Sequence, residues 1–338
     1  MQSSMREVAF ALGVPTAIGS LPHHDRDEAV SFVLERLPEL PAAPSLPALH
    51  RRESMIAQAA WGINGISISD GGAVTVDPGG VDPDAPLGDP TLDGPAFATL
   101  QRFLLAVAGR AGPIKLQLTG PVTLGLVLQA AGVAPALAFR IAGSAVRERA
   151  LQLLALAEAL APGTPLVVFI DEPGLAADLP LGVGETIDLV SGALAAIEPR
   201  AVTGLHCCGA ADWRVLLQAG PQILSLPVDV GGPGLVASAG ALASFIEQGG
   251  WVAWGAVPTD GPLGGSAGRL WRVLSTLWCS LVQSGCDPAQ LRRQAMMTPA
   301  CGLALHSVAQ ATEVLDLTRR VADHLHDQML GVKLSVGA

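Results

Sequence analysis

GLHCCGAADW, residues 204–213, places a histidine and two adjacent cysteines where a strand gives way to a helix. The apolar run Ala201–Leu205 reads as a short buried strand, and a helical pattern begins at Ala210, after Gly209. In open α/β proteins ligands gather at the carboxyl ends of parallel strands. The triplet is therefore either a ligand cluster at such an end, or two buried thiols beside a packed core histidine.

The same strand-then-helix unit recurs along the chain. Candidate strands are Thr16–Gly19, Ile66–Ser69, Ile114–Leu118, Leu166–Ile170, Val202–His206, Ile223–Leu226, Trp251–Gly255 and Ala295–Thr298. Helical patterns lie between them, over Asp27–Leu37, Ala96–Ala108, Ala138–Leu160, Ile187–Ile197, Ala237–Gln248 and Ala267–Val282. Eight such units predict an α/β protein of the (β/α)8 TIM-barrel type, a single domain over residues 1–338. No glycine-rich dinucleotide turn follows the first strand, which argues against a doubly wound sheet. The Gly-, Pro- and Asp-rich residues 71–95 read as an ordered loop after the second strand.

Composition narrows the function. Apolar residues make up 50% and charged residues 15% of the 338, which implies a large buried core. A net charge of −10, with Lys and Arg scattered singly, excludes a nucleic-acid backbone as partner. Five cysteines, an odd number in a long chain, do not make a disulfide framework. The N-terminus lacks a leader pattern, and the apolar stretch Gly125–Leu137 is broken by Pro135, so a soluble, cytoplasmic protein is expected.

On this map the polar residues collect at strand ends, on the barrel face that carries active sites: Ser20, His23, Thr119, Asp171, Glu172, His206, Cys208, Asp229 and Cys301. His206 and Cys208 are two apart, so in extended backbone they face the same way while Cys207 faces elsewhere. Imidazole and thiolate suit zinc, and Cys301 in TPACGLALHS offers a third ligand. Cys279 and Cys286 lie in or beside a helical pattern and read as structural. In VVFIDEPGL (167–175), Pro173 keeps Glu172 extended, so one carboxylate can be held rigidly over the mouth to take an ammonium; the plainer reading is a turn. LTGPVTLG (118–125) presents either Thr119 and backbone N–H groups to a ligand, or a helix cap. Asp25 and Glu28 form a capping box after His23 and His24, which read as loop residues; Arg51, Arg52 and Glu53 line the mouth or begin a helix.

IGS, LTGPVTL, IDEPGL, H-x-C and PACGL occur in that order from about Ile18 to Leu303. Together they resemble the catalytic C-terminal barrel of cobalamin-independent methionine synthase, in the superfamily of uroporphyrinogen decarboxylase and the corrinoid-dependent thiol methyltransferases. The resemblance implies zinc on His206, Cys208 and Cys301 and a homocysteine-like substrate bound by Ile18, Gly19, Ser20 and Asp171, with Glu53 and Thr119 as further candidate contacts. Three departures stand out. The family's glutamate ligand falls at Pro227, two positions before Asp229; its catalytic histidine after strand seven has no counterpart in WGAVPTDGP, where Asp260 is the candidate substitute acid; and its second amino-group carboxylate is matched at most by Glu53. The folate-binding N-terminal barrel of those enzymes is not in these 338 residues. The expected function is thus zinc-dependent methyl transfer to a small thiol, from a methyl-corrinoid either free or on a carrier protein. The alternatives are a decarboxylase-like enzyme, for which an Arg-rich first loop is missing, and a barrel that binds metal or thiol without turnover.

Overall fold

The computed structural model describes residues 8–336 apart from 70, 78, 89–90 and 262–264. Residues 1–7, positions 78, 89 and 90 of the expected loop, and Pro262 of WGAVPTDGP therefore lie outside the described residues. A short antiparallel hairpin, β1 (Ile66–Ile68) and β2 (Val74–Val76), stands apart from the main sheet. That sheet is six-stranded and parallel, in chain order: β3 (Ile114–Thr119), β4 (Leu166–Asp171), β5 (Val202–His206), β6 (Ile223–Pro227), β7 (Trp251–Val257) and β8 (Ala295–Pro299). It curls into a half-barrel, with helices joining each strand to the next.

Alternation along the strands sorts side chains into two cores. Val167, Phe169, Ile223, Ala253 and Met296 pack with Val14 and Leu40 inside the curl. Their neighbours Val168, Ile170, Leu224, Val252, Ala295 and Met297 belong to the larger core shared with the helices. Burial on both faces accounts for the continuous apolar runs of these strands. The stretch 125–137 is divided between two helices, Pro121–Ala130 and Pro135–Leu160, and no single helix among the described residues is long and apolar enough to cross a membrane.

The expected closed barrel of eight regular strands is not formed. Ile66–Ser69 is no barrel strand: its apolar and polar residues alternate, which suits a half-exposed hairpin and not a strand buried on both faces. Thr16–Gly19 is extended but makes no regular ladder; Thr16 N donates to the Met297 carbonyl (2.9 Å), and Met297 N to that of Val14 (3.1 Å). A second extended stretch, Pro41–Leu46, lies between that segment and β3 through the bridges Ser20–Ser45 and Ala42–Lys115. Pro41 and Pro44 have no N–H to donate, so a continuous ladder is impossible there.

Side chains of β3 supply what that ladder lacks. Lys115, Gln117 and Thr119, two apart on one face, donate to the carbonyls of Ile18 (2.7 Å), Ala43 (2.7 Å) and Met55 (2.8 Å). Thr119 therefore secures the first residue of the helix Met55–Ala60.

The two longest motifs interlock. The fully buried Glu172 carboxylate accepts from Val122 N (2.8 Å), Thr123 N (2.7 Å) and the Thr123 hydroxyl (2.6 Å), capping the helix Pro121–Ala130. A Cβ on Gly120 would stand 2.2 Å from the Glu172 carboxyl carbon, so the approach requires glycine. Those N–H groups serve the protein, not a ligand, and of the two carboxylates in IDEPGL only Asp171 remains available. Burial lifts the Glu172 carboxyl to about 7 against the pull of its hydrogen bonds. Glu172→Leu is expected to lower unfolding free energy by about 3 kcal/mol or more, because it strands buried donors. Glu172→Gln tests the charge. With the folded value raised from 4.5 to about 7, the carboxyl's contribution is full below about pH 4.5 and lost as pH rises through 7. Denaturation of parent and Glu172→Gln across that window should show this slope in the parent alone.

Candidate metal centre

The end of β5 begins the site. His206 is buried, its Nδ1 lies 2.9 Å from the Ser225 hydroxyl on the paired position of β6, and its Nε2 is buried without a protein partner. Cys208 follows two residues on, and Cys301 lies just past β8; the ligand atoms of His206, Cys208 and Cys301 all lie within 4.8 Å of one another. They are the one such group of three among the described residues. Cys207 turns the other way into the core, where burial pushes its thiol up to about 11.

The two thiols are coupled: Cys208, with His206 and the Gly302 amide, holds Cys301 below its ordinary value, while Cys301 and burial push Cys208 up. Two cysteine sulfurs and an imidazole nitrogen without a protein partner form a donor set that fits a soft tetrahedral cation such as zinc. Ser225 leaves Nε2 as the free nitrogen, the usual task of a group behind a metal-bound histidine. Among the described residues no fourth ligand joins them. Pro227 caps the next helix, and the exposed Asp229 bonds the neighbouring Val230 amide.

Two other predicted groups flank the cluster. Asp171 sits beside His206 in the β4–β5 ladder with Oδ1 buried and unpartnered; burial raises its pKa, opposed by Lys115 and His206. The Ile18–Ser20 turn lies on the Cys301 side, since Leu303 N donates to the Ser20 carbonyl (2.9 Å). Gly19 has φ +145°, and a Cβ there would stand 2.3 Å from the Gln117 amide nitrogen. Among the described residues the Gly19 and Ser20 N–H groups have no acceptor.

The remaining candidates are engaged elsewhere. Glu53 is fully buried and accepts from Leu46 N (2.9 Å), Thr99 (2.8 Å) and Arg26 (3.4 Å), which anchors the Pro41–Leu46 stretch. Asp260 is exposed on the loop after β7. His23 packs on Phe32, where burial lowers its pKa, and Asp25 caps the helix Arg26–Arg36. Sequence reasoning passed over Ser225, Lys115 and Thr298, whose buried hydroxyl has no partner. Their signal was a polar residue inside an otherwise apolar strand, alone in the cases of Ser225 and Thr298.

No protein-family model matches the sequence, and no curated protein is significantly similar to it. In fold the chain is similar to a B12-independent methionine synthase from Shewanella sp. W3-18-1, solved in complex with selenomethionine: TM-score 0.66, 16% identity, over 95% of this chain and 100% of that one. It is also similar to a methyltransferase from Methanosarcina mazei, with TM-score 0.57 and 15% identity over 90% of this chain and 87% of the other. At such identities the likeness is one of fold. The motif resemblance is thus supported at that level.

Ser225→Ala should keep the fold while letting the imidazole turn. Zinc affinity, measured by competition with a chelator, is expected to fall about 10–100-fold. Unchanged affinity would remove Ser225 from the centre.

Proposed function

We propose that the chain is a zinc-dependent methyltransferase that converts an amino-acid thiol, homocysteine, to its methyl thioether, with a methyl-corrinoid as donor. The observation that carries this reading is the convergence of His206, Cys208 and Cys301, with an unpartnered carboxylate on one side and free backbone amides on the other. Zinc held by those three residues would supply the Lewis acidity that keeps a substrate thiol deprotonated at neutral pH. Three protein donors are the number found in catalytic zinc sites.

The chain's own groups do the rest. Asp171 Oδ1 receives the substrate ammonium, and the Gly19 and Ser20 amides receive its carboxylate. Together they orient the sulfur toward the donor. Ser225 fixes the His206 ring. As the sulfur–methyl bond forms, the cobalt–carbon bond breaks and leaves its electron pair on cobalt, so the leaving group needs no proton. Methyltetrahydrofolate would need one on its leaving nitrogen. Asp260, the candidate acid, is exposed on its loop, which supports the corrinoid reading.

Zinc-loaded protein with homocysteine should form methionine from methylcobalamin, or from a carrier protein bearing a methyl-corrinoid, and not from polyglutamyl methyltetrahydrofolate. Asp171→Asn should weaken homocysteine about tenfold or more while sparing propanethiol. Efficient turnover with the folate alone would overturn the donor assignment, and equal loss for both thiols would overturn the role of Asp171.

A further inference from the structure

Of the three β3 side chains that hold carbonyls of the preceding segments, two are neutral and one is charged. Gln117 and Thr119 show that an amide or hydroxyl is enough for the task. Lys115 does it with an ammonium that is 1% exposed, and an uncompensated buried charge is strongly destabilising. Its setting accommodates that charge: Nζ donates to the Ile18 carbonyl at 2.7 Å, lies 3.3 Å from Gln117 Oε1, and sits 4.6 Å from the centre of the Phe169 ring. Asp171, on the same inner face of the adjacent strand, attracts it electrostatically yet keeps Oδ1 unpartnered. Burial brings the lysine down to about 8, which leaves it a cation at neutral pH.

We propose that Lys115 sets the polarity of the substrate site: its fixed cation, tied to the Ile18 carbonyl, makes the Ile18–Ser20 turn the end that accepts a carboxylate, opposite the ammonium end at Asp171. The assignment rests on the amino-acid-thiol reading above and makes the preferred ligand a zwitterion. Lys115 is a positioning residue. It fixes the turn from below and adds a field that favours an anion there, and the turn's N–H groups make the contact.

Four thiols on one three-carbon frame separate the ends: homocysteine (both charged groups), 3-aminopropanethiol (no carboxylate), 4-mercaptobutanoate (no ammonium) and propanethiol (neither). Calorimetric titration of the zinc-loaded parent should rank homocysteine first. In Lys115→Met the preference for homocysteine over 3-aminopropanethiol should shrink about 10–100-fold, with the preference over 4-mercaptobutanoate retained. Lys115→Gln, which still offers a donor but no charge, should behave the same way and guards against misfolding of the methionine variant. Zinc content serves as the control for structural damage. A glutamine variant that keeps the parent's carboxylate preference overturns the assignment. A parent that does not distinguish homocysteine from propanethiol overturns the amino-acid reading itself, whatever the variants do.

Discussion

The arrangement turns on one carboxylate. Glu172 holds the first turn of the helix Pro121–Ala130 through two backbone N–H groups and a threonine hydroxyl, while its own N–H donates to the His206 carbonyl at 2.7 Å. One residue thus joins the end of β4, the helix after β3 and the end of β5. Without the carboxylate the first turn of that helix loses its acceptor, and the turns after β3 and β4 lose the side-chain link between them. The helix N-terminus gains an acceptor for two of its otherwise free N–H groups. Gly120 permits the approach, and its amide donates to the Asp171 carbonyl (2.9 Å).

Given that lock, period-two alternation builds the chamber. Phe169, Ile223 and Met296 line the inner face; one step further along their own strands lie Asp171, Ser225 and Thr298, with His206 paired between Asp171 and Ser225. Several polar atoms of this upper layer are buried without protein partners, namely Asp171 Oδ1, His206 Nε2 and Thr298 Oγ1. Buried polar groups rarely stay unpaired. Their clustering at the strand ends argues for a bound ion and ligand as the missing partners.

Much of this was legible in the sequence. The six strands of the sheet begin where their apolar runs begin and end within two residues of the expected positions, because burial on both faces leaves an uninterrupted signature. The H-x-C spacing anticipated that His206 and Cys208 face the same way, since positions two apart in extended backbone share a face. The edges of the sheet were misread for an equally physical reason. Pro41–Leu46 looks like loop because its prolines cannot pair, and its neighbours on β3 compensate with side chains. The link between LTGPVTL and IDEPGL was invisible as well. It joins residues about fifty positions apart, and nothing local distinguishes a glutamate that caps a distant helix from one that waits for a ligand.

Zinc K-edge X-ray absorption on the purified protein tests the central claim most directly. The account predicts one zinc per chain, bound by two sulfurs at about 2.3 Å and one imidazole nitrogen at about 2.0 Å, with at most one further light atom. A first shell made only of oxygen and nitrogen, or protein that takes up no zinc, would contradict it.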